Sequence, residues 1–223
     1  TYDPVQKTSD ALLGTNACPI FRSAEALLNY IEASYLKSGS LDTKATKYWK
    51  DLRRRAGVNE DFNITIANTD MAKEAALNDL GVWSGEQMVD ATLYNIRRER
   101  RVEFIGEGMR WDDLKRWRSW DRLFTQPFIV EGMNLWDNAY RNYTKEEEKI
   151  IADGTTSSNT SSASVSKYMR PLQRWTTNNQ LYNGYTWRKA YYLSPIGVED
   201  LLLAPKLYQN PYWPSKTAGL AEE

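Results

Sequence analysis

The sequence predicts a mainly α fold: a helical hairpin plus long helices, wrapped by extensive irregular loops. Three observations predict it. Apolar residues return at helical spacing from Pro19 to Leu36, a capped second run follows from Asp42, and a long charged stretch from Glu86 keeps its apolar residues on one face.

The first run carries Ile20, Ala24, Leu27, Leu28, Ile31 and Tyr35, with Pro19 suited to a first helical turn. Ser38-Gly39-Ser40 breaks it. Asp42 then supplies an N-cap, Ala45, Trp49, Leu52 and Ala56 share a face, and Arg53-Arg54-Arg55 precedes a stop at Gly57. Residues 18–57 are therefore expected to form a helical hairpin. The alternation in Asn63 to Asn68 reads as a short strand, and Met71 to Leu80 as a short helix closed by Gly81.

In residues 86–120, a helix from Glu86 turns Val89, Leu93 and Ile96 inward and runs through Arg97-Arg98-Glu99-Arg100-Arg101 to Gly106 and Gly108. Trp111 to Trp120 reads as the next helix. Periodicity then fades. Residues 124–190 mix Trp136, Tyr140, Tyr143, Trp175, Tyr182 and Trp187 with turn formers, and Gly154 to Ser166 reads as a flexible surface loop. Over residues 191–213, Pro195, Pro205 and Pro211 imply an extended strap instead of a closing helix.

Composition narrows the function classes. At 223 residues the chain can bury a sizeable core. Its 29 Lys plus Arg balance 29 Asp plus Glu, so no net field draws it onto nucleic acid or anionic lipid. With no His and one Cys, Cys18, a His-based triad, a His-ligated zinc site and an internal disulfide are all excluded. Nothing calls for a cofactor or metal. No apolar run approaches the ~18 residues that a membrane span needs. Nine Trp and fourteen Tyr against five Phe suit half-wet surfaces and sugar platforms as well as cores.

Charged residues are the first candidates for chemistry. On a helix Glu99, Glu103 and Glu107 repeat every fourth residue, with Arg100 and Arg110 nearby. A glycosidase needs two carboxyls ~5–9 Å apart across a cleft, one holding its proton unusually tightly. Arginine neighbours push the other way. Glu99, Arg100, Glu103 and Arg110, together with Arg22 and Glu25 on the first helix, are therefore read as structural ion pairs, and no residue is assigned a catalytic role. The loop aromatics are the candidates for binding. Trp136 with Asp137-Asn138 and Tyr140, and Trp175 with Asn178-Asn179-Gln180 and Tyr182, combine flat rings with groups able to satisfy hydroxyls. A covering role over the core is the competing account.

Three segments together resemble the SusD/RagB family. Pro19-Ile20-Phe21-Arg22-Ser23-Ala24-Glu25-Ala26-Leu27-Leu28-Asn29-Tyr30-Ile31-Glu32-Ala33 is similar to a family helix. Glu99-Arg100-Arg101-Val102-Glu103-Phe104, then Gly108, Arg110 and Asp113-Leu114-Lys115-Arg116-Trp117, resembles a second. Tyr192-Leu193-Ser194-Pro195-Ile196 with Leu207-Tyr208-Gln209-Asn210-Pro211-Tyr212-Trp213 is similar to the family ending. Two positions depart from it: Gly197 stands where Pro is usual, and Tyr212 where Gly is.

The resemblance implies the C-terminal half of a SusD-like fold, with a lipid-anchoring signal and tetratricopeptide-like helix pairs expected upstream. It implies a lipoprotein on the extracellular face of the outer membrane, attached only through that N-terminal anchor. There it would bind nutrient without catalysis and act with a SusC-like, TonB-dependent transporter. Glycan is the expected ligand. Peptide is the alternative, as in the RagB branch, and a glycoside hydrolase or a pure scaffold are weaker ones.

Overall fold

A computed structural model describes residues 20–137, 149–204 and 206–214. The fold is mainly helical, and the chain divides into two compact units, residues 1–71 with 90–109 and residues 72–89 with 110–223.

In the first unit, α1 (Ser23–Ser38) buries Ala24, Leu28 and Ile31, and ends at Gly39, whose φ of 69° lets its N–H reach the Tyr35 carbonyl. α2 (Thr43–Arg55) starts where Asp42 accepts a hydrogen bond from the Ala45 N–H, and buries Ala45, Trp49 and Leu52. The two helices pack on each other, so their apolar faces close one core.

Asn63 to Asn68, expected as a strand, belongs instead to a helix, α3 (Phe62–Ala67). Asp61 caps it through the Asn63 N–H, and Phe62 is pinned flat on Trp49, with ring centroids 4.2 Å apart and planes 6° from parallel. A cap and one anchored ring outweigh a six-residue alternation. α4 (Met71–Ala76) stops short of Leu80, because Asn78 takes a left-handed φ of 59°.

The charged helix also starts later than Glu86. α5 (Ala91–Glu103) begins where the Asp90 carboxylate accepts from the Thr92 and Leu93 N–H groups. It buries Leu93, Tyr94 and Ile96 in an apolar stripe and, beside them, Asn95, Arg97 and Arg100.

In the second unit, Glu86 lies in the turn of a two-stranded hairpin, β1 (Trp83–Ser84) with β2 (Gln87–Met88), which registers Trp83 opposite Met88. The expected single helix from Trp111 to Trp120 is two pieces. α6 (Arg110–Arg116) ends before Arg118, which turns left-handed at φ 59°, and a 3-10 helix follows over Ser119–Phe124. Leu80, Leu114, Trp117, Leu123 and Trp187 form this unit's core.

Residues 154–166, expected to be a flexible surface loop, form a mostly exposed run of turns without helix or strand, with Ser158, Thr160 and Ser161 buried. Asp153 accepts from the Ser158 and Thr155 hydroxyls, Asn159 pairs with the Ile151 backbone, and Ser161 Oγ accepts from the Arg170 N–H. Short hydroxyl side chains bond their own backbone, so a low-complexity stretch makes a knot of turns. The strap over 191–213 also contains a helix, α7 (Val198–Leu203), in the proline-free span between Pro195 and Pro205.

Candidate functional site

Within the first unit the charged residues interlock. Arg22, in extended backbone just before α1, sends Nη1 to Glu103 Oε1 (2.9 Å), Nη2 to the Glu103 carbonyl (3.0 Å) and both Nε and Nη2 to Glu107. Hydrogen bonds to Glu107 and then Glu103 hold its guanidinium above the ordinary arginine value. Arg55 reaches Glu103 from α2. Glu99 accepts from Arg53 Nη1 and from the Trp49 indole N–H, each at 2.9 Å. Arg100 donates to Asn29 Oδ1 at 2.7 Å. In the second unit, Arg110 pairs with Asp79 at 3.0 Å and lies over the Trp117 ring.

Glu25 departs from the expected pattern, because Arg22 turns toward α5. It sits in the first turn of α1, where a carboxylate meets the positive end of the helix, and forms no ion pair among the described residues. Glu99 and Glu103 thus each face a guanidinium, plus a second donor.

The aromatics singled out from sequence separate. Trp175 lines a groove of about 340 Å³ with Asn178, Asn179, Gln180 and Arg174. One face of Trp175 is taken by the Arg174 guanidinium at 4.3 Å. Asn179 folds its amide back onto the Leu172 and Trp175 carbonyls, leaving Asn178 and Gln180 as the exposed polar groups. Tyr182 is half-buried and its carbonyl accepts from Gln173. Trp136 is half-buried, with its indole N–H unpartnered. Tyr140 and Asn138 lie outside the described residues.

A larger cleft, about 680 Å³, was missed. Trp111, Trp120, Phe128, Tyr185, Trp187, Tyr191 and Trp213 supply its rings, and Thr186 and Ser194 its small hydroxyls. Trp120 and Trp187 stack at 5.1 Å with planes 16° apart, and Trp111 leans on both, at 4.9 and 5.6 Å. The Trp120 and Trp187 N–H groups are buried without a partner, so carbon is what these two indoles offer the cleft. Trp111 is half out of the surface, at 51% exposed.

Backbone geometry builds this wall. Phe128 and Tyr185 exchange N–H···O bonds of 2.8 and 2.9 Å in an isolated antiparallel bridge. The bridge requires Gly184: a Cβ there would lie 2.7 Å from Ile129 Cδ1 and 2.8 Å from the Phe128 carbonyl, at a φ of +88°. Trp187 follows three residues on, its N–H on the Leu123 carbonyl. The cleft joins side chains from three distant stretches, so no sequence window contains it. Trp117 is buried in the core, Trp120 packs partly buried against it, and Trp111 stays half exposed.

A family model, that of the SusD family, matches residues 3–213. The chain belongs to the SusD family. No curated protein and no solved structure matches it. SusD family membership suggests nutrient binding at the cell surface, and members are generally non-catalytic binding proteins working with SusC-like transporters. They are typically surface-exposed outer-membrane lipoproteins. Among the described residues no helix is long and apolar enough to cross a membrane.

The SusD-like segments have identifiable physical work in this chain. Arg22 of the first bonds Glu103 and Glu107 of the second. In the third, Gln209 bonds both the N–H and the carbonyl of Ile196, Asn210 Nδ2 donates to the Ser194 carbonyl, and the Trp213 indole donates to the Leu193 carbonyl. Those bonds clasp the strap on itself and set Leu193, Ser194, Pro195 and Trp213 along the cleft. Of the two departures from the family ending, Gly197 has φ −57°, a value proline also holds, whereas Tyr212 stands at φ +67°, where glycine is at ease.

Proposed function

We propose that this SusD family member binds glycan without catalysis at the cell surface and delivers it to a SusC-like, TonB-dependent transporter. The observation that carries this reading is the Trp111–Trp120–Trp187 cleft. A sugar ring has C–H faces bordered by hydroxyls. Indole carbon surfaces receive those faces, while Thr186, Ser194 and the tyrosine hydroxyls at the rim receive the edge groups. Trp175 with Asn178 and Gln180 is assigned as a second, smaller contact surface, and Trp136, Tyr140 and Tyr182 are kept as binding aromatics on their sequence context alone.

The engaged state of Glu99 and Glu103 supports binding over bond cleavage. Glu99 is held by Arg53 and the Trp49 indole N–H, and Glu103 by Arg22 and Arg55, so both carboxylates are committed to joining helices. The test is isothermal titration of the full-length protein against panels of neutral and acidic oligosaccharides and of peptides. Saturable heat with a glycan, and no reducing-sugar release over the same period, is the expected outcome. Silence with every glycan, or release of reducing sugar that Glu103→Gln abolishes, overturns the reading.

A further inference from the structure

A second pocket lies beside the aromatic cleft and differs from it in chemistry. It holds about 380 Å³ and is lined by Arg118, Lys189, Tyr192, Leu193, Pro211 and Tyr212. Leu193 lines both spaces, and consecutive residues are dealt between them: Tyr191 to the cleft and Tyr192 to this pocket, Trp213 to the cleft and Tyr212 to this pocket. Both spaces belong to the second unit.

Two cations line the pocket and no carboxylate does. Arg118 stacks on the Tyr192 ring at 4.3 Å and directs Nε and Nη2 to Asp121, which also accepts from the Tyr192 hydroxyl at 2.6 Å. Asp121 thus fixes Arg118 and Tyr192 as one rigid wall. Lys189 lies over the Tyr212 ring at 5.4 Å and forms no ion pair among the described residues. With one arginine charge matched by Asp121, the pocket keeps the lysine's positive charge uncompensated.

Backbone strain singles out the same place. Four described non-glycine residues have positive φ: Asn78, Arg118, Asn178 and Tyr212. Asparagine tolerates that region, but arginine and tyrosine enter it only against steric resistance. Those two both line this pocket. Tyr212 is the third residue of a turn closed by the Trp213 N–H on the Asn210 carbonyl, a position that favours glycine at this φ. What tyrosine adds over glycine there is a ring in the pocket wall, under the lysine.

We infer that this pocket is a subsite for a carboxylate-bearing sugar ring, so that the ligand is an acidic, uronate-containing oligosaccharide lying across Leu193. This rests on the glycan reading above and narrows it. The neutral part of the chain stacks in the tryptophan cleft. The acidic ring sits between Tyr192 and Tyr212, its carboxylate on Lys189 and on the Arg118 edge that Asp121 leaves open.

The test compares uronic-acid hexasaccharides with the same oligosaccharides as methyl esters, titrated into the full chain at low and high salt. The esters keep every ring and lose the charge. The expected result is about tenfold tighter binding of an acid form at low salt, a preference that shrinks as salt rises. Lys189→Met, at an exposed position, reduces that preference several-fold, Arg118 holding what remains. Tyr212→Gly weakens acid binding while raising the unfolding midpoint, a pairing that a merely structural tyrosine would not give. Equal binding of acid and ester, or a preference that Lys189→Met does not reduce, sinks the inference. Neutral glycans binding while no uronate does leaves the proposed function standing and removes this subsite. No binding to any sugar removes both.

Discussion

Arg22 holds Glu103 twice: its Nη1 takes the carboxylate at 2.9 Å, and its Nη2 takes the backbone carbonyl of the same residue at 3.0 Å. One guanidinium therefore neutralises a side chain and also satisfies a carbonyl at the C-terminal end of α5, where cations are favoured. Glu103 is the shared partner of α2 and of the residue that leads into α1, since Arg55 meets it as well.

That geometry ranks three substitutions. Glu103→Ala removes the shared acceptor and should cost about 1–2 kcal/mol, with partial exposure keeping it below the value for a fully buried pair. Arg55→Ala removes one exposed arm and should cost under ~0.5 kcal/mol. Arg22→Lys keeps the charge but cannot fork between a carboxylate and a carbonyl, so it should behave more like a deletion than a conservative change. Urea unfolding of the three variants gives the order directly. If Arg55→Ala costs as much as Glu103→Ala, the lattice is not centred on Arg22.

Trp49 joins packing to charge. It is 1% exposed, stacked on Phe62, and its indole N–H donates to Glu99. Trp49→Ala should lose about 3–5 kcal/mol. Trp49→Phe keeps a ring against Phe62 and leaves Glu99 with Arg53, so its loss should be about 1–2 kcal/mol. The gap between the two, read by denaturant unfolding, separates stacking from the hydrogen bond.

Much of the first unit was legible because its determinants are local. Asp42, Ala45, Trp49 and Leu52 announce a capped amphipathic helix within eleven positions, and that is the helix found. Glu99 and Glu103 could be read as ion-pair residues from their arginine neighbours, though the actual partners, Arg53, Arg22 and Arg55, lie more than forty residues away in sequence. The aromatic cleft was not legible, because Trp111, Trp187 and Trp213 meet only through the Phe128–Tyr185 bridge and the Gln209–Ile196 clasp. The left-handed break at Arg118 was equally hidden, since nothing about an arginine signals a positive φ.

Acid should destabilise the fold in a defined window. Asp42 is held below the usual carboxylate range by the Ala45 N–H and then the Tyr30 hydroxyl, Asp51 and Glu60 by hydrogen bonds to Lys47 and Arg54 respectively, and Asp153 by the Thr155 N–H. Groups depressed in the folded state contribute stability that is fully present above the unfolded value of ~4 and is lost as pH falls through the folded value. The melting temperature should therefore stay level from pH 7 to about pH 5 and drop below about pH 4. Asp42→Asn keeps a capping oxygen and removes the titration, so its melting temperature at pH 7 should stay close to that of the parent, with a shallower acid slope. A slope unchanged by this substitution would show that Asp42 is not among the groups responsible.

Trp111 offers the cleanest separation of binding from stability. Trp187, at 7% exposed, belongs to the core, so its truncation would confuse a lost contact with a disturbed fold. Trp111 leans on the same two rings from outside the core and leaves half its surface in solvent. Trp111→Ala should shift unfolding by under ~1 kcal/mol and raise the glycan Kd about tenfold, the scale of one lost ring-stacking contact. Trp175→Ala, titrated against the same ligand, weighs the smaller groove. A larger loss from Trp175→Ala than from Trp111→Ala would move the principal site to the Trp175 groove, because a ring that receives ligand must matter more than one that only borders solvent.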